Sequence, residues 1–174
     1  MSRANMDKNP QEVAAMFDGV ARRYDIVNDL LSLGRTKAWR RAATKVIAPA
    51  PGMKILDMAA GTGSSSAPLA AAGADVTAAD FSEGMIAAGK KVRPDLTFIK
   101  ADALNLPFDN NAFDLFTISS GLRNTQNTAK ALAEARRVVK PGGRLVVVEF
   151  SSPTFAPFRA IYMNYLMRAL PFIA

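Results

Sequence analysis

Ile55-Leu56-Asp57-Met58-Ala59-Ala60-Gly61-Thr62-Gly63, followed by Asp80, is the stretch that decides how this chain is read. An apolar strand runs into a turn of small residues. A helix-compatible stretch follows, then a second strand that ends on a carboxylate 23 positions after Asp57. A glycine-rich turn after one strand and an acidic residue after the next is the layout of a nucleoside-binding βαβ unit.

The same alternation continues on both sides. Lys54–Met58 reads as strand one and Ser64–Ala72 as the first helix of the core. Asp75–Ala79 and Thr97–Lys100 read as strands two and three, with a helix over Glu83–Lys91 between them. Phe113–Ser119 is strand four, Thr128–Val139 a helix, Pro141-Gly142-Gly143 a turn, and Arg144–Phe150 strand five. Repeated βα units predict an α/β fold, a parallel sheet with helices on both faces. Leu145-Val146-Val147-Val148 is continuously apolar, the pattern of a strand buried on both faces.

Ahead of the sheet, Val13, Met16, Phe17 and Val20 fall at helical spacing over residues 10–23. A break and a short helix over 24–34 lead to a basic helix carrying Lys37, Trp39, Arg40, Arg41 and Lys45, which Pro49-Ala50-Pro51-Gly52 ends. After the sheet, Phe158, Ile161, Tyr162, Tyr165, Leu166 and Leu170 form a helical stripe, with Arg159 and Arg168 off it. That stripe is either packed on the domain or an apolar cap over a lipid-like substrate. The predicted organisation is an N-terminal helical cap over 1–50, an α/β core over 51–151 and a C-terminal apolar helix over 152–174.

Composition narrows the chemistry. The chain has 174 residues, 49% hydrophobic and 21% charged, and neither cysteine nor histidine. Thiolate nucleophiles, disulfides and thiolate metal sites are excluded, and so is the usual near-neutral acid–base group. No metal site is expected. The net charge of +7 suits an acidic partner or a solvated basic surface. The N-terminus has no apolar signal core and no uncharged run is long enough to cross a bilayer, so the expectation is a cytoplasmic protein, with peripheral contact at the inner face of the membrane.

The turn discriminates between nucleotides. A dinucleotide fingerprint starting at Gly61 wants glycine or alanine at position 66, and this chain has Ser66. Asp57, ionised just ahead of the turn, repels a pyrophosphate and attracts a cationic amino-acid ligand. S-adenosylmethionine carries an ammonium, a sulfonium and no phosphate, and is the expected cofactor. Gly61 and Gly63 let the backbone approach it without a Cβ in the way. Asp80 either accepts the ribose hydroxyls or caps the helix that Ser82-Glu83 begins. Asp102-Ala103 either meets the adenine or closes a turn. Ser119 ends strand four at the crevice.

Three segments resemble the ubiquinone/menaquinone biosynthesis C-methyltransferase family. Tyr24-Asp25-x-x-Asn28-x-x-Leu31-Ser32, with Trp39, is similar to its N-terminal signature. Thr117-Ile118-Ser119-Ser120-Gly121-Leu122-Arg123-Asn124 is similar to its strand-four segment, and Arg137 to Ser151, through Lys140-Pro141-Gly142-Gly143, to its second signature. The resemblance covers roughly residues 10–172. It implies a Rossmann-like class I S-adenosylmethionine-dependent methyltransferase fold, cofactor contacts at Thr62, Asp80, Asp102, Ala103 and Ser119, and methylation of a ring carbon of a prenylated quinol, demethylmenaquinol or a ubiquinone precursor. This chain has Thr36 where the family signature carries a histidine. The family sheet also has two further strands beyond a point equivalent to Ala174. Without them strand five is expected to be an exposed apolar edge, prone to self-association.

A quinol carbon is nucleophilic only when its neighbouring hydroxyl gives up or shares a proton. With no histidine, the base is a carboxylate, a tyrosine or water. Arg123 cannot be that base, since its pKa lies above about 12, but it can stabilise a developing phenolate. Asn124 can orient the same oxygen, and Tyr24 is a second candidate. Glu149 is either a base or a cap. Three rivals remain at this point. An RNA methyltransferase would use Arg35, Lys37, Arg40, Arg41 and Lys45 on phosphates. It lacks the Asn/Asp-Pro-Pro-aromatic motif of amino-group methylation, since Ser119-Ser120-Gly121-Leu122 stands there, and the cysteine of cytosine ring methylation. An inactive cofactor-binding fragment is the second, and a dehydrogenase the third.

Overall fold

The computed structural model describes residues 10–21, 24–32, 34–149, 151 and 154–173, with side chains for all of these but Pro10, Val27, Leu31 and residues 165–173. Three helices come first: α1 (Pro10–Val20), α2 (Tyr24–Leu31) and α3 (Thr36–Ile47). The core follows as β1 (Lys54–Met58), α4 (Ser66–Ala71), β2 (Asp75–Asp80), α5 (Glu83–Val92), β3 (Thr97–Lys100), β4 (Phe113–Ser119), a 3-10 turn (Leu122–Asn124), α6 (Thr128–Val138) and β5 (Val139–Val148). A last helix, α7, spans Ala156–Ile173. The strands form one parallel sheet in the order β3-β2-β1-β4-β5.

β1 is central because it is apolar on both faces. Leu56 and Met58 pack with Phe116 and Ile118 of β4 under Ala131, Ala135 and Val138 of α6. On the opposite face Ile55, Val76 and Leu115 pack against Ile47 of α3 and Leu69 of α4. Beyond them Ala78, Ile86, Leu96 and Phe98 close the β2–β3 side. Each large side chain buried in this way contributes about 1.5–3 kcal/mol.

Asp57 shares the Ile55 face of β1, so it points under α4 and is fully buried. Its Oδ2 accepts hydrogen bonds from Ser66 Oγ at 2.6 Å and Ser65 Oγ at 2.7 Å. Those two serines open α4, which therefore starts at Ser66 rather than at Ser64 as the sequence suggested. The preceding residues are consumed by the turn, where Gly61 and Gly63 have φ of 58° and 83°.

The N-terminal helices are tied to the core by carboxylates. Asp18 of α1 accepts from the Ser82 hydroxyl and, at 2.8 Å, from the Gly84 N–H at the head of α5. A Cβ on Gly84 would lie 3.0 Å from the Asp18 Cα, so the glycine is what admits α1. Thr36, at the position of the family histidine, is buried, and its hydroxyl donates to Asp29 of α2. Arg144 of β5 donates to the carbonyls of Val46 and Ile47, the last residues of α3.

Two expectations are corrected at the C-terminal end. β5 begins at Val139, not Arg144. The Pro141-Gly142-Gly143 segment is a bulge inside the strand, since Phe113 pairs with Val139 and Leu115 already with Arg144. β5 is also not buried on both faces. It is the sheet edge, and α6 covers Phe116 and Ile118 but leaves their neighbours Leu145 and Val147 43% and 40% exposed. Among the described residues β5 is thus an edge with apolar side chains exposed, as expected from the resemblance. The α7 stripe is not packed on the domain where it is described: Phe158 and Ile161 are exposed, and Phe158 stacks on Tyr162 of its own helix. The Tyr165, Leu166, Arg168 and Leu170 side chains, the 150 end expected for strand five, and residues 22–23 of the first predicted helix lie outside the described residues.

The buried carboxylate sets a pH dependence. Burial, opposed by the hydrogen bonds of Ser66 and Ser65 and reinforced by nearby Asp80, raises the Asp57 pKa from 3.8 to about 6. Below its ordinary pKa the group is neutral in folded and unfolded chains alike. The stability held there is lost as pH rises through about 6, by about 3 kcal/mol. Thermal unfolding of Asp57→Asn beside the parent chain should show the variant gaining relative stability from pH 4 to pH 7. Parallel curves would remove the charge from this account.

Candidate active site

Open parallel sheets bind ligands beyond the carboxyl ends of their strands, where the strand order reverses. Here the chain leaves β1 for β2 and β3 on one side and returns to β4 on the other, so the reversal lies between β1 and β4. The two loops at that point touch. Ala59 and Ser120 both have positive φ, 57° and 58°, and a Cβ on Gly121 would lie 2.4 Å from that of Ala59. Ser119 ends β4 beside them, half-buried and in register with Val148.

Asp80 stands at the end of β2 and reaches across to the turn. Its Oδ2 accepts from the Gly61 N–H at 2.8 Å and its Oδ1 from the Ser82 N–H at 2.9 Å. Burial raises its pKa despite these two bonds and one from the Phe81 N–H. It does not cap α5: Ser82 does, accepting from the Met85 N–H at 3.0 Å. Of the two readings open for Asp80, capping is thereby removed. Asp102 follows β3, and its Oδ1 accepts from the Leu104 N–H at 2.8 Å. It does close a turn, then, with Ala103 buried beside it.

The glycines act differently from expectation. A Cβ on Gly61 would lie 2.9 Å from Met85 Cε, and one on Gly63 would lie 2.8 Å from Leu96 Cδ1 and 2.9 Å from Phe98 Cζ. The room they leave is filled by the protein's own side chains. What they supply to the crevice is the positive-φ path of the turn, which only glycine follows without strain.

Thr62 is buried, and its hydroxyl donates to Asp25 Oδ2 at 2.7 Å. Ser64 Oγ donates to Asp25 Oδ1 at 2.7 Å and lies 3.0 Å from the Thr62 hydroxyl. Arg40 of α3 completes the cluster, 3.5 Å from Asp25. One carboxylate of α2 thus grips the turn through two hydroxyls. Sequence reasoning passed over Asp25 and Asp18 as site-building residues; Asp25 was read only as part of a signature. Tyr24, at the head of α2, packs edge-on against Phe17 with ring centroids 5.9 Å apart.

Arg123 and Asn124 lie together in the 3-10 turn after β4. Glu149, just past β5, is brought against Arg123: its Oε2 accepts from the guanidinium at 2.9 Å and its Oε1 from the Arg123 backbone N–H at 3.3 Å. Both carboxylate oxygens are engaged by one residue, which fixes the arginine at the mouth between β4 and β5.

Comparison with known proteins agrees with this architecture. The family model described as the ubiE/COQ5 methyltransferase family matches residues 5–174. A demethylmenaquinone methyltransferase of Renibacterium salmoninarum is 60% identical over 174 residues, which span all of this chain and 73% of that protein. One of Streptomyces avermitilis is 58% identical over the whole chain and 75% of its own length. Among solved structures, the [4+2]-cyclase SpnF is 22% identical with a TM-score of 0.71, over 88% of this chain and 63% of that one. A putative S-adenosyl-L-methionine-dependent methyltransferase of Methanococcus maripaludis is 19% identical with a TM-score of 0.66, over 98% and 76%. At such identities the structures establish the fold alone, a Rossmann-like parallel sheet flanked by helices. The family match and the sequence relatives establish more: this chain belongs to the ubiE/COQ5 methyltransferase family.

Proposed function

We propose that this chain transfers a methyl group from S-adenosylmethionine to a ring carbon of demethylmenaquinol, giving menaquinol. Family membership and the names borne by its relatives support the reading. The structural observation that carries it is the acidic edge of the sheet. Asp57, Asp80 and Asp102 stand in a row at the carboxyl ends of β1, β2 and β3. Asp80 and Asp102 are acceptors suited to ribose hydroxyls and an exocyclic amine, and Asp57, buried beneath them, adds charge that suits an ammonium and opposes a pyrophosphate. The same row disfavours the dehydrogenase reading.

In this reading the turn from Gly61 to Gly63 holds the amino-acid end, Asp80 the ribose, Asp102 and Ala103 the adenine, and Ser119 the near side of the crevice. Asp57, sealed beneath the turn, acts at a distance through its charge and by fixing Ser65 and Ser66. When bound, the cofactor supplies a methyl carbon activated by a sulfonium. The protein's part is alignment, which supplies about 7–11 kcal/mol in well-oriented reactions. Arg123, held by Glu149, faces the quinol oxygen and stabilises its negative charge as the proton leaves. Asn124 orients that oxygen, and Tyr24 stands at the cap as the second polar group. Among the described residues no helix is long and apolar enough to cross a membrane. A prenylated substrate is membrane-dissolved, so peripheral contact with a bilayer is part of the reading. The open β5 edge with exposed Leu145 and Val147 supports self-association.

Four measurements test this. Labelled S-adenosylmethionine should transfer its methyl to demethylmenaquinol. Cofactor binding by calorimetry without any turnover on demethylmenaquinol or a ubiquinone precursor would favour the inactive binding fragment. Arg123→Ala should lower kcat by about 10²–10³-fold while cofactor affinity stays within a few-fold; an equal loss of cofactor affinity would remove its role at the quinol. Size-exclusion chromatography should show concentration-dependent association, and a clean monomer at all concentrations would contradict the edge contact.

A further inference from the structure

A second concave surface lies outside the acidic crevice. It is a groove of about 490 Å³ between α3 and the start of α4, lined by Lys37, Arg40, Arg41, Thr44 and Lys45 on one side and Ser64 on the other. Lys37, Arg41 and Lys45 recur every fourth residue, so they project from one helix face about 6 Å apart. Among the described residues none of these three has an ion-pair partner. Arg40 alone is engaged, with Asp25 at 3.5 Å, and Asp25 is in turn satisfied by Thr62 and Ser64. A concave surface with three uncompensated cations favours a multiply charged anion, and a guanidinium flanked by ammonium groups matches the oxygens of a phosphate.

We propose that this groove binds phosphate groups, of the kind carried by an anionic phospholipid head or by a soluble phosphate. Its far wall is Ser64 and Pro68, and the Ser64 hydroxyl also holds the turn of the acidic crevice. A bound lipid head would therefore set the bilayer surface one residue from that turn. This use of the groove rests on the lipid-borne substrate proposed above. The binding itself does not, and its test needs neither cofactor nor quinol.

The full chain should co-sediment with phosphatidylglycerol-containing vesicles and not with pure phosphatidylcholine vesicles. Lys37→Glu/Arg41→Glu/Lys45→Glu, which spares Arg40, should weaken that binding by at least about a hundredfold. Lys90→Glu/Lys91→Glu/Arg136→Glu, an equal charge change at exposed residues outside the groove, should weaken it by less than about fivefold. Inorganic pyrophosphate, titrated calorimetrically, separates the sources. Binding that the groove variant abolishes assigns a soluble phosphate, and vesicle binding without it assigns the lipid head. Equal losses in the two triple variants would mean that only the net charge of +7 acts, and would overturn the site. So would a matching loss of S-adenosylmethionine affinity in the groove variant, which would give the groove to the cofactor. If the charge reversal fails to fold by circular dichroism, Lys37→Gln/Arg41→Gln/Lys45→Gln replaces it, with a loss of at least about tenfold required.

Discussion

Two serine hydroxyls hold one oxygen of a wholly buried carboxylate, and the ligand-facing edge of this protein depends on that arrangement. Asp57 lies on the inner face of β1, and its bonds to Ser65 and Ser66 fix where the turn ends and α4 begins. Two further carboxylates at the edge are attached to that turn. Asp80 reaches it through the Gly61 N–H, and Asp25 reaches it through Thr62 and Ser64. The other Asp57 oxygen has no hydrogen-bond partner among the described residues, and burial raises the pKa of the group to about 6. A single buried group thus shapes the backbone and carries, above that pH, a negative charge beneath the turn.

Local features of the fold were legible in the sequence. The βα alternation gave strands three and four with the bounds found here, because their apolar runs are short and flanked by turn residues. What could not be read were contacts between residues far apart in the chain. Asp25 meets Ser64 39 positions away, Asp18 meets Ser82 64 positions away, and Arg123 meets Glu149 26 positions away. No spacing rule reports such pairs. The glycines of the turn were identified, but their neighbours Met85, Leu96 and Phe98 come from elements that sequence patterning cannot place around them. The misreading of β5 has a similar origin. An apolar run reports what a strand is able to bury, not whether a helix arrives to cover it.

Charge is partitioned across the molecule. The carboxyl edge of the sheet collects Asp57, Asp80 and Asp102, while α3 collects Lys37, Arg40, Arg41 and Lys45 on the other side of the Ser64 wall. Arg40 and Asp25 form the bridge between the two territories. A net charge of +7 therefore says little about the crevice, which is locally acidic in a basic protein. A cationic ligand and an anionic surface make opposite electrostatic demands, and this fold places acidic and basic groups on adjacent faces.

The reach of Arg144 from the outermost strand to the last carbonyls of α3 has a mechanical meaning. One guanidinium couples the sheet margin to the tail of a helix roughly one hundred positions earlier in the chain. The last turn of α3 therefore rests on the outermost strand, and the same helix carries Arg40 to Asp25. The border of the sheet thus serves as the footing on which the basic helix stands.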